Sequence, residues 1–193
     1  GAYQWIEETD PAMFDEIRAR VREGRWVIVG GWWVQPDCNL PGGEALFLPV
    51  EASEMGTAGL AEALGALADL LADAFRLVIE IPQSAVSDLP HFCDFYRRTR
   101  DRGITLAYSE FSAAQVRVLD AEEIRPEFLK LAPSLMRNVH RNRQRQGILR
   151  TVVEAAVASG CEVIATGIDN DDEAAVCLQL GCRLGQGSLF GMP

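Results

Sequence analysis

Polar side chains stand at or just after the ends of apolar runs throughout this sequence: Glu51 after "ALFLPV", Glu80 in "RLVIEIP", Ser109 and Glu110 after "ITLAY", Lys130 in "FLKLAP", Thr166 and Asp169 in "EVIATGID". Carboxylates placed on separate runs in this way could hold divalent cations through hard oxygen ligands, polarise a phosphate and activate a water. A lysine among them would favour the ionised form of a neighbouring carboxylate, and Glu80 with Lys130 is expected to be such a pair. Asp169, Asp171, Asp172 and Glu173 have the crowding of a metal cluster. Acids opening a helix also complement its dipole and cap its free amides, and that structural role is the expectation here. Gln186 between Gly185 and Gly187 marks a tight backbone approach near a ligand or a neighbouring strand. In "WWVQPDCNLPGGEALF", Asp37 has the form of a nucleophile and Glu44 that of a metal ligand, although a loop or strand entry is the expectation for Glu44.

These residues meet only if their runs are strands with a common direction. Seven strand candidates are visible: "RWVIVGGWW", "ALFLPVE", "RLVIEIP", "ITLAYSE", "FLKLAP", "CEVIATGI" and "RLGQGSLF". Helical segments separate most of them, beginning with "DPAMFDEIRARVREG", where Asp10 can cap, Pro11 takes the first position and Gly24 follows the end. The others are residues 58–74, "DLPHFCDFYRRTRDRG", "RQGILRTVVEAAVASG" and "DDEAAVCLQLG". Short runs that are apolar on both faces and joined by crossover helices require a parallel sheet covered by helices, closed as a barrel or open and doubly wound. A barrel gathers its site as a ring at the C-terminal strand ends, whereas an open sheet focuses its ligand at one switch point. The ring of strand-end polar residues favours an α/β, TIM-like (β/α) barrel of about seven to eight strands, mosaic or incomplete, with 1–193 as one domain.

The bulk numbers narrow the function. A chain of 193 residues that is 48% hydrophobic can bury one sizeable core. A net charge of −10 opposes a nonspecific grip on nucleic acid or an anionic membrane, so neither is an expected partner. The one basic run, "MRNVHRNRQRQGILR", reads as a solvated helix start or loop. Five cysteines, Cys38, Cys93, Cys161, Cys177 and Cys182, without a C-x-x-C pair read as reduced, mostly buried thiols of a cytoplasmic protein. With only His91 and His140, a His-rich metal centre is not expected. No apolar run approaches the roughly 18 residues of a membrane span, and no signal-peptide pattern opens the chain. Gly-rich phosphate loops, a serine nucleophile elbow and H-E-x-x-H are absent.

From about residue 45 to 193 the chain resembles an EAL domain, the barrel that hydrolyses cyclic di-GMP. "EVIATGIDNDDEAAVCLQLGCRLGQGSLFGMP" is similar to that family's closing pattern, V-V-A-E-G-V-E-T, an acid-led helix, then L-G-C-D-x-x-Q-G-x-L-F-x-x-P. "LVIEIPQS" resembles its E-L-T-E-S strand, "GITLAYSEFS" its G-x-x-x-A-L-D-D-F-G strand and "FLKLAP" its L-K-I-D strand. The resemblance implies two divalent cations, Mg or Mn, held by both Asp of D-D, the Glu of E-A-L, an Asn one strand later and the first Glu of E-L-T-E. Here the D-D pair is Ser109 and Glu110, the Asn falls at or near Glu51, and the glutamate of A-E-G is Thr166. Glu80, Lys130 and Gln186 match. A neutral hydroxyl is unsuited to general-base work, so a metal-hydroxide mechanism lacks both a ligand and a base. Glu80, Lys130, Gln186 and Asp169 are the candidate ligand-binding residues. A catalytic role would fall on Lys130 and Glu110, a metal on Glu80 and Glu110, and no cofactor is expected unless the barrel is active.

Over about residues 3–46 the chain resembles class II α-mannosidases, in which the aspartate of x-P-D is nucleophile and zinc ligand. That role would fall on Asp37, but the family's earlier histidine-bearing zinc segment and a later acid/base have no counterpart, and one carboxylate cannot perform a two-carboxylate displacement. Glu44-Ala45-Leu46 belongs to this segment's "PGGEAL" rather than to the E-A-L strand of the barrel family. The leading expectation is a catalytically inactive EAL-like barrel that binds cyclic di-GMP or a protein partner, with a homodimer as a further option. The alternatives are an active phosphodiesterase with a rearranged metal site and an engineered or chimeric scaffold without evolved activity.

Overall fold

The strand runs carry two interleaved apolar sets, and the fold separates them. In the computed structural model, which describes residues 27–29, 32–34, 45–71, 76–82, 89–113 and 124–190, the strands are β1 (Val27–Val29), β2 (Trp32–Val34), β3 (Ala45–Pro49), β4 (Arg76–Pro82), β5 (Thr105–Phe111), β6 (Phe128–Leu131), β7 (Glu162–Thr166) and β8 (Leu184–Gln186). The helices are α1 (Leu60–Leu71), α2 (Leu89–Arg100), α3 (Pro133–Met136), α4 (Arg143–Ala158) and α5 (Asp171–Gln179). Ala45, Phe47, Val78, Ala107, Phe128 and Ile164 form one buried cluster. Their sequence neighbours, among them Leu77, Ile79, Leu106, Tyr108, Leu129 and Val163, form another with Leu64, Phe92, Phe95, Val152 and Cys177 from the helices. Successive strand side chains point to opposite faces, so the first cluster lines the inside of the sheet and the second fills the layer beneath the helices.

The sheet runs β2-β1-β3-β4-β5-β6-β7-β8, with every neighbouring pair from β3 onward parallel. Phe47 and Phe128 lie three strands apart, yet their rings meet edge-on with centroids 5.1 Å apart. Three strand spacings on a flat sheet would separate their backbones by about 14 Å. The wall is therefore curved, and the described strands form a half-barrel of α/β type. Among the described residues β8 pairs only with β7.

The run predicted as one strand, "RWVIVGGWW", is two. β1 and β2 pair antiparallel, Val27 with Val34 and Val29 with Trp32, and β1 then pairs parallel with β3 through Val29 and Phe47. Gly30 and Gly31 are the two residues between them in the sequence. The helix expected over 10–24, and Asp37 and Glu44, lie outside the described residues.

Three helices stop in the same way. At the end of α2, Ile104 N donates to Thr99 O and Gly103 N to Arg100 O; at α4, Cys161 N to Ala156 O and Gly160 N to Val157 O; at α5, Cys182 N to Cys177 O and Gly181 N to Leu178 O. Each glycine has positive φ, +72°, +79° and +99°, which is the paired bonding of a Schellman motif. Each motif delivers the chain to the start of the next strand, which fixes the parallel register. No helix among the described residues is long and apolar enough to cross a membrane.

Candidate functional site

The inward parity of the strands continues upward into the polar ring. On β4, Val78 faces in, Ile79 out and Glu80 in; on β6, Phe128 faces in, Leu129 out and Lys130 in. Glu80, Ser109, Lys130, Thr166 and Gln186 all line one cavity of about 710 Å³ at the C-terminal end of the half-barrel, joined by Glu51, Glu110 and Asp169 from the strand ends and the loops after them. The fold thus brings together the four expected ligand-binding residues, Glu80, Lys130, Gln186 and Asp169.

Lys130 and Glu80 are both buried, at 6% and 5% exposure, and Lys130 Nζ donates to Glu80 Oε1 across the concave face. The ammonium also lies 5.8 Å from the centroid of the Phe47 ring beneath it. A buried carboxylate needs such compensation, since an unpaired ion there would be strongly disfavoured. Thr166 is half-buried, and its hydroxyl donates to Leu131 O on the neighbouring strand.

Glu110 reaches the cavity by a different route. It follows the inward Ser109, so strict alternation would send it outward. Between Tyr108 and Phe111 the β5–β6 register shifts, with three steps on β5 set against two on β6, and Glu110 has φ of 55°. A bulge with one left-handed residue re-aims the following side chain, and it places two consecutive residues, Ser109 and Glu110, on the mouth. Beneath them Tyr108 is fully buried, and burial pushes its phenol well above the usual range.

The rim after β7 is built by Glu173. Asn170 caps α5, its side chain accepting from Glu173 N at 3.0 Å. The buried Glu173 carboxylate then accepts from Asn138 N at 2.7 Å and Asp169 N at 3.1 Å, tying the loop after β6 to the loop after β7. His140 Nδ1 lies 3.9 Å from the same carboxylate. Asp171 and Asp172 are exposed in the first turn, and Asp169 accepts from Ser188 Oγ at 2.7 Å. Gly187 seats against the backbone of Ile168, where a Cβ would come within 2.1 Å of its carbonyl oxygen. The glycines around Gln186 therefore serve close approach to a neighbouring loop.

The described residues contain no group of three or more His, Cys, Asp or Glu side chains placed to hold a metal ion. Glu80 is engaged by Lys130, and Ser109 and Thr166 bring only hydroxyls to the same cavity. These side chains do not fit the donor set of a two-cation centre.

Comparison with known proteins gives the class and then the family. The curved parallel sheet with its C-terminal cavity matches solved EAL domains: that of FimX from Xanthomonas citri, in complex with c-diGMP, superposes with a TM-score of 0.71 over 91% of this chain and 63% of that one at 14% identity. A Klebsiella pneumoniae BlrP1 calcium/cy-diGMP complex superposes with a TM-score of 0.69 over 79% of this chain and 39% of that one at 25% identity. The EAL domain family model matches residues 35–193, and the chain belongs to that family. Among curated relatives, the RNase E specificity factor CsrD of Escherichia coli (strain K12) is 28% identical over 116 residues, 60% of this chain but only 18% of CsrD. Residues 1–52 match the glycosyl hydrolases family 38 N-terminal domain, and alpha-mannosidase G of Dictyostelium discoideum is 43% identical over 44 residues, 23% of this chain and 4% of that protein.

Proposed function

We propose that this chain is a catalytically inactive EAL-type barrel of cyclic di-GMP signalling, with residues 1–193 folding as one domain and the cavity at its mouth serving to bind the nucleotide. The observation that carries this reading is the state of Thr166: a neutral hydroxyl, already bonded to Leu131 O, stands where the resemblance requires a carboxylate base. With Ser109 in place of a ligand, an in-line water has neither a cation pair to ionise it nor a base to accept its proton. The binding half is supported by the cavity of about 710 Å³ and by the nucleotide in the solved complexes of FimX and BlrP1. Buried thiols at Cys161, Cys177 and Cys182 suit a cytoplasmic protein.

Glu51, Glu110 and Asp169 place three carboxylates on the cavity wall, which opposes a ligand with two phosphates unless a cation screens them. Calorimetric titration with cyclic di-GMP, alone and with Mg²⁺ or Mn²⁺, tests the reading. Saturable heat at one site, abolished by Gln186→Ala in a folded protein, is expected; a flat titration under all three conditions would overturn nucleotide binding.

A further inference from the structure

Residues 131–153 contain five arginines, Arg137, Arg141, Arg143, Arg145 and Arg150, and no aspartate or glutamate, although the whole chain carries 28 acids against 18 cations. The fold gathers these arginines along one corner. The half-buried Arg145 donates through Nη1 to Ser134 O at 3.2 Å and to Arg137 O, which ties the loop after β6 to the first turn of α4. Asn142 caps that turn by accepting from Arg145 N at 3.0 Å. Arg141 ends the short 3-10 turn just before the cap, and Arg150 stands two turns after Arg143 on the same side of α4. Arg137, Arg141, Arg143 and Arg150 are exposed, and among the described residues none of them takes part in an ion pair.

The stripe ends in apolar side chains. Val157 follows Arg150 by a further two turns and is 60% exposed. Gly181, just past α5, lies against Val153, where a Cβ would come within 3.3 Å of Val153 Cγ1, so the end of α5 packs on this part of α4. Leu178, on the last turn of α5, is 68% exposed. The surface thus runs from positive charge at the mouth end of α4 to exposed valine and leucine at its far end.

We propose that this face of α4 docks an acidic, amphipathic polypeptide segment of a partner protein, its carboxylates on the arginines and its apolar side chains on Val157 and Leu178. Guanidinium groups suit that partner because each meets a carboxylate through two parallel N–H bonds. Two other occupants fit less well. A two-fold axis through this face would set the patch of a second copy against itself, arginine on arginine. Single-stranded nucleic acid binds through aromatic platforms on which bases stack, and residues 131–153 contain no Phe, Tyr or Trp. A long polyphosphate also feels the whole chain's net charge of −10, whereas a short acidic segment meets the local patch within a Debye length of about 8 Å.

The test follows the fluorescence anisotropy of a labelled peptide of about sixteen residues, glutamates in one half and leucines in the other, titrated with the full chain. As a helix it spans the roughly 21 Å from Arg143 to Val157. The expected result is saturable binding that weakens as salt is raised, falls about tenfold in the double variant Arg143→Glu, Arg150→Glu, and falls about threefold in Leu178→Ser. A peptide with serine for every leucine should bind more weakly, and an oligouridylate of similar length should not compete. A flat titration, binding that survives the double charge reversal, or displacement of the peptide by oligouridylate would overturn the proposal. Self-association of the wild-type chain in sedimentation, abolished by the double variant, would overturn it as well. All three substituted residues are exposed, and the peptide and oligouridylate comparisons on the wild-type chain stand by themselves if a variant fails to fold.

Discussion

Two glutamates are buried among the described residues, and they are held by opposite means. Glu173, on the rim, gives its two oxygens to the backbone amides of Asn138 and Asp169. Glu80, in the mouth, meets the ammonium of Lys130 through Oε1 and remains part of the cavity wall. Backbone amides fix a carboxylate in place without any partner that a ligand could displace. A lysine on an opposing strand is a movable counter-ion that an anionic ligand can share. Burial by itself therefore does not mark a functional carboxylate, and the nature of the compensating group does.

The largest expected effect separates the two. Lys130→Ala leaves Glu80 buried without its partner and should cost about 3–5 kcal/mol in urea denaturation, while Lys130→Met combined with Glu80→Leu should recover most of that loss. Equal stability of the single and double variants would break the contrast. Glu173→Ala removes the acceptor of two amides and should cost about 1–3 kcal/mol, with cyclic di-GMP affinity affected far less than by Gln186→Ala. A Glu173→Ala protein of full stability that has lost nucleotide binding would reverse the assignment.

The smallest effect lies in alkaline solution and bears on neither carboxylate. Burial pushes Cys161 up to about 11 from an ordinary 9.0, so the folded state holds this proton more tightly than the unfolded chain does. Its contribution to stability is complete below about pH 9 and is lost as pH rises toward 11. Cys161→Ala should flatten that limb of the stability curve; an unchanged slope would assign the whole limb to other groups, Tyr108 first.

Much of this was legible in the sequence because a strand's alternation is a strict rule. Val78 before Glu80 and Phe128 before Lys130 set both polar residues on the inner face two steps further on, and the parallel pairing follows from the crossover helices. Three features were not legible. Glu110 in the left-handed region has no local signal, since glutamate is a poor choice there and only the register shift against β6 imposes it. The division of "WVIVGGWW" into two antiparallel strands was concealed by its unbroken apolar character, with Gly30-Gly31 the one cue. Glu173 was grouped with exposed acids, although its N-x-x-E spacing from Asn170 is that of a capping box and singles it out from Asp171 and Asp172.

The central claim, a binding mouth that has lost hydrolysis, is tested most directly by incubating the protein with cyclic di-GMP and Mn²⁺ and following the linear dinucleotide by chromatography. A missing base alone removes roughly 10²- to 10⁴-fold in rate, and the account predicts no product above the protein-free control. Linear dinucleotide that accumulates with Mn²⁺ and disappears in Glu80→Gln would contradict it.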